Sequence, residues 1–135
     1  MDKLELSRQL WQALIEEARR SLPNECCGLL GGGGCRATKI IPAMNVLASP
    51  VAYEIRPREL FAIFRQLRAE HLDLVGIYHS HPTGDNAPSA RDRARAYYPE
   101  AAYVIVSPRG DAAQAVRGFR IQAEAASELP VEVVG

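Results

Sequence analysis

The 135-residue sequence has no excess of charge of either sign, because sixteen lysines and arginines balance sixteen aspartates and glutamates. Nucleic-acid binding draws its affinity from surplus positive charge, so this balance argues against a general nucleic-acid-binding protein. The sequence also lacks any apolar run near the roughly 18 residues that suggest a membrane span. Its first residues lack the apolar stretch of a secretory signal. We therefore expect a cytoplasmic protein with neither nucleic acid nor a membrane as a partner.

Cysteine is scarce, and its pattern fits neither a disulfide framework nor a cysteine-based metal site. The three cysteines are Cys26, Cys27 and Cys35, an odd count with two of them adjacent. No C-x2-C pair is present, which also argues against a cytidine deaminase. The glycine run at 31–34 has no following Lys-Ser/Thr, so it predicts a hairpin turn rather than a phosphate-binding loop. We expect at least one cysteine to pack in the core beside Glu25.

Helical and strand patterns alternate irregularly along the chain, which favours an α+β fold. Ser7 is expected to cap a helix that ends before Pro23, and Pro57 to begin a second helix. The buried face of that second helix is predicted to comprise Leu60, Phe61, Phe64 and Leu67. Strands are predicted at 26–30, 36–41, 53–55, 72–78, 101–107, 115–121 and 131–134, with a short helix from Ser89. No repeat or linker divides the chain, so we expect a single domain over residues 1–135, with a central mixed sheet flanked by helices.

Two histidines provide the strongest chemical signal. His79 and His81 are two residues apart at the end of an apolar strand, so their side chains project from the same face. Two imidazoles side by side suit one Zn²⁺, which takes nitrogen or oxygen ligands at about 2.0–2.2 Å. Asp92 is the best third ligand, since the loop at 82–88 can fold the following helix back over the strand end. Three such ligands leave one position open, as in catalytic zinc sites.

Each of these residues also has a simpler interpretation. An H-x-H pair on a strand is more often incidental than metal-binding, and the Ser89-x-x-Asp92 spacing resembles a capping box that opens a helix. His71 has no partner in the sequence pattern and is expected at the surface near a helix end. The arginines form either a solvated face or a docking patch for an acidic partner; they are Arg65, Arg68, Arg91, Arg93 and Arg95.

The combined motif resembles that of the JAMM (MPN+) metalloprotease family. His79-Ser80-His81-Pro82 followed by Ser89 and Asp92 matches H-x-H-x7-S-x2-D without a gap. Glu25 lies in ECCGLLGG, where the family carries a glutamate entering a strand. The resemblance covers roughly residues 5–134 and is closer to the short stand-alone prokaryotic members. It implies the JAMM/MPN fold, which is similar to that of cytidine deaminases.

The resemblance also implies a role for each residue. His79, His81 and Asp92 would bind one zinc ion per chain, and Glu25 would act as general base towards water and then as acid towards the leaving amine. Ser89 would donate a hydrogen bond to the oxyanion that forms on the attacked carbonyl. Ser80 and Pro82 are expected to shape the site rather than take part in the chemistry.

The function implied by the resemblance is hydrolysis of the peptide or isopeptide bond after the C-terminal Gly-Gly of a ubiquitin-like protein. The short prokaryotic members favour a sulfur-carrier-type protein as the substrate, whose tail would add as a β-strand to an edge strand beside the zinc. A homodimer is left open. The alternatives are a non-catalytic MPN-type binding module and a DNA-repair-associated JAMM-like domain, which also carries an H-x-H-P run.

Overall fold

The structure is a computed structural model that describes residues 1–109 and 114–135. Its strands are β1 (Leu4–Ser7), β2 (Cys27–Gly33), β3 (Arg36–Ala43), β4 (Asp73–Ser80), β5 (Ala102–Val106), β6 (Val116–Gln122), β7 (Ala125–Leu129) and β8 (Val131–Val134). Its helices are α1 (Arg8–Ser21), α2 (Pro57–Ala69) and α3 (Ala90–Ala94). The strands form one mixed sheet in the order β7-β6-β5-β4-β2-β3-β1-β8. This arrangement confirms the predicted α+β class with a mixed central sheet flanked by helices.

The sheet curls around helix α1. The two edge strands, β7 and β8, are joined by Pro130 alone, so the opposite edges of the sheet must approach each other. Ser7 caps α1 as predicted, because its side chain accepts a hydrogen bond from the Leu10 amide at 3.0 Å. Leu14 and Ala18 of α1 are fully buried in the core cluster that Tyr78 and Val104 of the sheet complete.

Helix α2 covers the other face of the sheet and begins at Pro57, as predicted. Ile63 and Leu67 are its buried residues, and they pack with Ile77 of β4 and Ile105 of β5. The prediction that Phe61 belongs to the buried face is wrong, since 72% of Phe61 is exposed. The apolar face of α2 that packs against the sheet therefore includes Ile63 in place of Phe61.

Several strand boundaries differ from the predictions. Strand β2 continues through the glycines to Gly33, and the turn before β3 consists of Gly34, with a φ of +61°, and Cys35. Residues 53–55 are not a strand; they belong to a non-regular segment between β3 and α2. The sequence patterns also missed β1 and β7. None of the helices in the described ranges is long and apolar enough to cross a membrane.

The end of β4 that carries the histidine pair lies in the middle of the sheet. Strand β4, which ends at Ser80, is paired with β2 on one side and with β5 on the other. The expectation of an edge strand beside the metal site is wrong, because the edges of the sheet are β7 and β8. A substrate tail cannot add to β2, β4 or β5, since both sides of each of these strands are already paired.

Candidate metal centre

The carboxyl end of β4 and the start of α3 bring three ligand atoms together. The Nε2 atoms of His79 and His81 are 3.1 Å apart. Oδ2 of Asp92 lies 3.2 Å from the first and 3.1 Å from the second. The strand period places both histidines on one face, and the loop at 82–88 returns α3 across the end of β4. These residues could hold a metal ion.

The donor set fits a cation. The Nδ1 atom of His81 lies 2.8 Å from the Asp85 carbonyl oxygen, which can only accept a hydrogen bond. The proton of neutral His81 is therefore assigned to Nδ1, and its Nε2 presents a lone pair to the other ligands. Two imidazole nitrogens and a carboxylate oxygen that face one another at this range repel each other unless a cation or a proton lies between them. Nitrogen and oxygen donors of this kind suit Zn²⁺.

The ionisation of the three groups follows from burial and from this contact. Burial alone would raise the pKa of Asp92, but the hydrogen bonds with His79 and His81 outweigh it and hold that pKa well below its usual range. Burial lowers the pKa of His79. Burial also acts to lower the pKa of His81, but the contacts of His81 with Asp92 and with the Asp85 carbonyl outweigh burial, so this pKa is raised. Asp92 is thus an anion and His79 a neutral imidazole near neutral pH.

His79 is oriented by an aromatic contact rather than by a hydrogen bond at its Nδ1 atom. The ring of Tyr53 stacks on the His79 ring with a centroid distance of 4.6 Å and an interplanar angle of 23°. Nδ1 of His79 is buried and has no hydrogen-bond partner among the described residues. Stacking therefore sets the plane of this imidazole, while the backbone of β4 sets its direction.

Ser89 and Asp92 form the capping box that the spacing predicts. The Ser89 side chain accepts a hydrogen bond from the Asp92 amide at 3.1 Å, and the Asp92 carboxylate accepts one from the Ser89 amide at 2.9 Å. The same Asp92 oxygen faces both histidines. The structural and the metal-related interpretations of Asp92 are therefore compatible, since the cap fixes the carboxylate in the orientation that a ligand needs.

Glu25 is buried just before β2, and only 4% of its surface is exposed. Two residues later, Cys27 is paired with His79 across β2 and β4, so Glu25 lies near the carboxyl end of β4. The Cys26 amide donates a hydrogen bond to the Ser80 hydroxyl at 2.8 Å, which ties the Glu25 backbone to the residue between the two histidines. Both cysteines of this segment are buried free thiols, which confirms the expected packing beside Glu25.

The Glu25 carboxylate is suited to hold and release a proton. Its Oε1 atom is buried without a hydrogen-bond partner among the described residues. Desolvation raises its pKa to about 7, although the charge of His81 acts in the opposite direction. A carboxylate with this pKa accepts and donates protons with similar ease near neutral pH.

The loop that carries α3 is anchored to the end of the sheet. Asn86 is buried, and its amide donates a hydrogen bond to the Gln114 carbonyl at 2.7 Å. Arg109 donates one to the Gly84 carbonyl at 3.0 Å, and Arg117 lies 3.5 Å from the Asp85 carboxylate. These contacts fix the Asp85 carbonyl that orients His81.

A cavity of about 120 Å³ adjoins Asp92. Its lining includes Leu29 and Ile77 of the sheet and the aromatic ring of Tyr53. The charged groups in its lining, besides Asp92, are Arg91, Arg95 and Glu54. The last two form an ion pair at 3.1 Å. The ligand site therefore opens onto a partly apolar cleft with arginine at its rim.

Three features of the site are not predicted by the sequence motif. Tyr53 lies in a segment interpreted as a strand, the Asp85 carbonyl carries no side-chain signal, and Arg91 was one of a run of exposed arginines. His71, by contrast, is exposed after the end of α2, as expected. The structure thus brings together the three residues predicted as ligands, and it adds a stacking ring and a backbone acceptor.

The comparisons with known proteins agree on one family. The profile described as prokaryotic homologs of the JAB domain matches residues 7–122. The chain is 39% identical to a desampylase of Haloferax volcanii over 115 residues, which cover 80% of this chain and 83% of that protein. It is 36% identical to the CysO-cysteine peptidase of Mycobacterium bovis over 133 residues, covering 97% and 91% of the two chains. A solution structure from Desulfitobacterium hafniense superimposes with a TM-score of 0.85 at 29% identity, covering 97% and 92%.

Proposed function

The chain belongs to the family of prokaryotic homologs of the JAB domain, as its JAMM motif predicts, and we propose that it hydrolyses the amide bond after the C-terminal Gly-Gly of ubiquitin-like, sulfur-carrier-type proteins. The chain is a metal-dependent peptidase of this family. Relatives are named a desampylase and a CysO-cysteine peptidase. The observation that carries the proposal is the convergence of three ligand atoms at the end of β4, close to a buried Glu25 carboxylate whose Oε1 has no hydrogen-bond partner in the described part of the chain. The proposal treats residues 1–135 as one domain.

The ligands in the proposal are His79, His81 and Asp92, and the ion is zinc, one per chain. The support is the donor set, since two neutral imidazoles and one carboxylate are typical of catalytic zinc sites with an open position. When bound, the ion supplies a Lewis acid that polarises the carbonyl and makes water a stronger acid. The Asp85 carbonyl keeps the His81 proton on Nδ1, and Tyr53 keeps the His79 ring in plane.

Glu25 is the proton carrier in the proposal. Its carboxylate takes a proton from the attacking water and gives a proton to the leaving amine. The support is its burial, with no hydrogen-bond partner for Oε1 within residues 1–109 and 114–135, together with a pKa raised to about 7 by desolvation. A group with a lower pKa would take up the first proton less readily, and a group with a higher pKa would release it too slowly.

Ser89 is the oxyanion donor in the proposal. Its hydroxyl oxygen already accepts a hydrogen bond from the Asp92 amide. A hydroxyl has one proton of its own, so that proton stays free to point at the attacked carbonyl. A donor aimed at the developing negative charge stabilises the transition state more than the substrate.

Gly-Gly before the scissile bond is supported by sterics. His79 and His81 lie at the end of the internal strand β4 and Asp92 at the start of α3. In the proposal, the scissile carbonyl reaches them in an extended chain that enters between α3 and the segment around Tyr53. Glycine has no Cβ to contact the walls of such a cleft. Tail addition to a sheet edge is not part of the proposal.

The proposal is tested with carrier proteins that end in Gly-Gly plus a C-terminal extension. We expect the zinc-reconstituted protein to release the extension, as read by intact mass, and the chelated protein to be inactive until zinc is restored. A wild-type protein that takes up no metal on reconstitution would favour the non-catalytic module instead. Salt-dependent binding to duplex DNA by the metal-loaded protein would favour the DNA-repair alternative.

A further inference from the structure

Helix α2 turns a positively charged face to solvent. Four of its exposed positions fall within an arc of about 80°, since successive helical residues are rotated by about 100°. They are Arg58, Phe61, Arg65 and Arg68, which we call the α2 face. Because 72% of Phe61 is exposed, this face presents a large aromatic ring on the same stripe as three arginines.

The three arginines of the α2 face have no acidic partner in the part of the chain that the structure describes. None of their guanidinium groups forms a hydrogen bond or an ion pair there. The acidic groups at the two ends of the helix have other partners. The Glu59 carboxylate accepts a hydrogen bond from the Met44 amide at 3.0 Å, and the Glu70 carboxylate pairs with Lys39. Because the whole chain has no net charge, the α2 face is a local excess of positive charge.

Helix stability does not account for this pattern. Arg58 lies in the first turn of α2, where the helix dipole disfavours a positive charge. Arg65 and Arg68 are three residues apart, so their like charges are neighbours on the helix surface. Arginine and aromatic side chains are, by contrast, the residue types enriched in protein interfaces. The α2 face therefore has the composition of a surface that another protein covers.

The α2 face borders the cleft of the metal centre. Leu60 lines that cleft together with Asp92, and the next residue of the helix, Phe61, is exposed. Phe64 of α2 packs on Tyr98, which also lines the cleft, with a centroid distance of 5.8 Å. The cleft and the α2 face are therefore separated by no more than about 12 Å, the diameter of a helix with its side chains.

The proposed reaction places the folded body of the carrier outside the cleft, because the cleft takes only its extended tail. Four extended residues span at most about 14 Å, which is comparable with the width of α2. A carrier whose tail reaches the ligands thus brings its body against the surface that borders the cleft. A second copy of this chain fits the α2 face less well, since a symmetric pairing would bring arginine against arginine.

We propose that the α2 face docks an acidic surface on the folded body of the carrier protein. This inference rests on the proposed function and adds to it a recognition surface outside the cleft. The three arginines pair with carboxylates of the carrier, and Phe61 packs on apolar side chains among them. Such docking favours the whole carrier over its isolated tail, because only the carrier has a body to bind.

The test uses a ubiquitin-like carrier of net negative charge that ends in Gly-Gly plus a short extension, and a peptide with only its tail and extension. The ratio of kcat/KM for the carrier to kcat/KM for the peptide should fall roughly tenfold or more in R65E/R68E at low ionic strength. This effect should shrink in about 1 M salt, where the Debye length is about 3 Å. F61A should lower the ratio at both ionic strengths, because it removes apolar contact area.

The matched control is R8E/R20E, because Arg8 and Arg20 are exposed on α1, which packs on the opposite face of the sheet. Both double variants change the net charge of the chain by the same amount, so a general loss of attraction would affect them equally. R8E/R20E should keep a ratio close to that of the wild type. Equal ratios in the two double variants would overturn the docking surface and leave the hydrolytic function intact.

A second carrier tests the charge of the partner surface. In this carrier, the acidic side chains around the tail are changed to amides. The wild type should lose most of its preference for this carrier over the peptide, and R65E/R68E should then have little further effect. An undiminished effect of R65E/R68E on the amide carrier would contradict pairing with carboxylates.

Binding to zinc-loaded E25Q provides a readout that does not depend on turnover. Calorimetry should give a higher Kd for the acidic carrier in E25Q/R65E/R68E than in E25Q or E25Q/R8E/R20E. If the wild type cleaves no carrier but this difference is present, the hydrolytic function fails and the docking surface stands. Binding to duplex DNA that R65E/R68E abolishes, with no difference in carrier binding, would assign the α2 face to nucleic acid and overturn the proposal.

Discussion

Replacing Glu25 by glutamine should stabilise the metal-free protein at neutral pH, although it removes the proposed proton carrier. The wild-type carboxylate is buried, and its Oε1 lacks a partner among the described residues. An ionised carboxylate in that position is poorly solvated, so its ionisation lowers the stability of the folded chain. Glutamine has nearly the same shape and no charge to desolvate.

The magnitude follows from the pKa of Glu25, which desolvation raises from 4.5 to about 7 in the folded chain. Below pH 4.5 the carboxyl is protonated in both states, and its ionisation contributes no penalty. Between the two pKa values the folded chain holds a proton that the unfolded chain has lost, so wild-type stability falls by about 1.4 kcal/mol per pH unit relative to the variant. Above pH 7 the difference levels off at about 3 kcal/mol.

The assay is urea unfolding followed by circular dichroism, in chelator, from pH 4 to pH 8. The free energy of unfolding of E25Q minus that of wild type should rise across this range and then become constant. E16Q is the control, because Glu16 is exposed on α1 and its substitution removes a carboxylate that is not buried. A flat difference for E25Q would refute the reasoning that burial destabilises the Glu25 carboxylate.

Three further predictions concern the site. H79A should take up no zinc but keep its far-UV circular dichroism, because His79 offers one of the three proposed ligand atoms in a fold that already has a large core; elemental analysis checks this, and a full zinc content would remove His79 from the proposed ligand set. S89A should lower kcat by about 10²–10³ with unchanged zinc content, as for loss of one oxyanion donor; unchanged kcat would leave Ser89 only its capping role. In the carrier, Gly→Val before the scissile bond should block release in a mass-spectrometric assay, whereas efficient cleavage would indicate a general peptidase.

The convergence of His79, His81 and Asp92 could be predicted because it depends on local geometry. The strand period alone places His79 and His81 on one face, and one loop of ordinary length returns Asp92 to them. The capping box at Ser89 follows from spacing in the same way. Such signals depend on residues within one short stretch, and the chain folded there as the spacing indicated.

The other parts of the site depend on contacts between distant segments. Tyr53 reaches His79 from a non-regular segment, and nothing in its own sequence distinguishes it from a strand. The two strands that the sequence patterns missed, β1 and β7, likewise carry too little local signal to be predicted. Strand β1 alternates buried Leu4 and Leu6 with Glu5 and Ser7, but it is only four residues long and runs directly into α1. Strand β7 is exposed at every position except Leu129, so it lacks the alternation of a half-buried strand.

The central claim is tested most directly by intact mass of a Gly-Gly carrier adduct after incubation with zinc-loaded wild type and with zinc-loaded E25Q. The account predicts a single product from the wild type, whose mass is that of the carrier ending at Gly-Gly, and almost no product from E25Q at the same zinc content. Cleavage at another position, or release by E25Q at the wild-type rate, would contradict it.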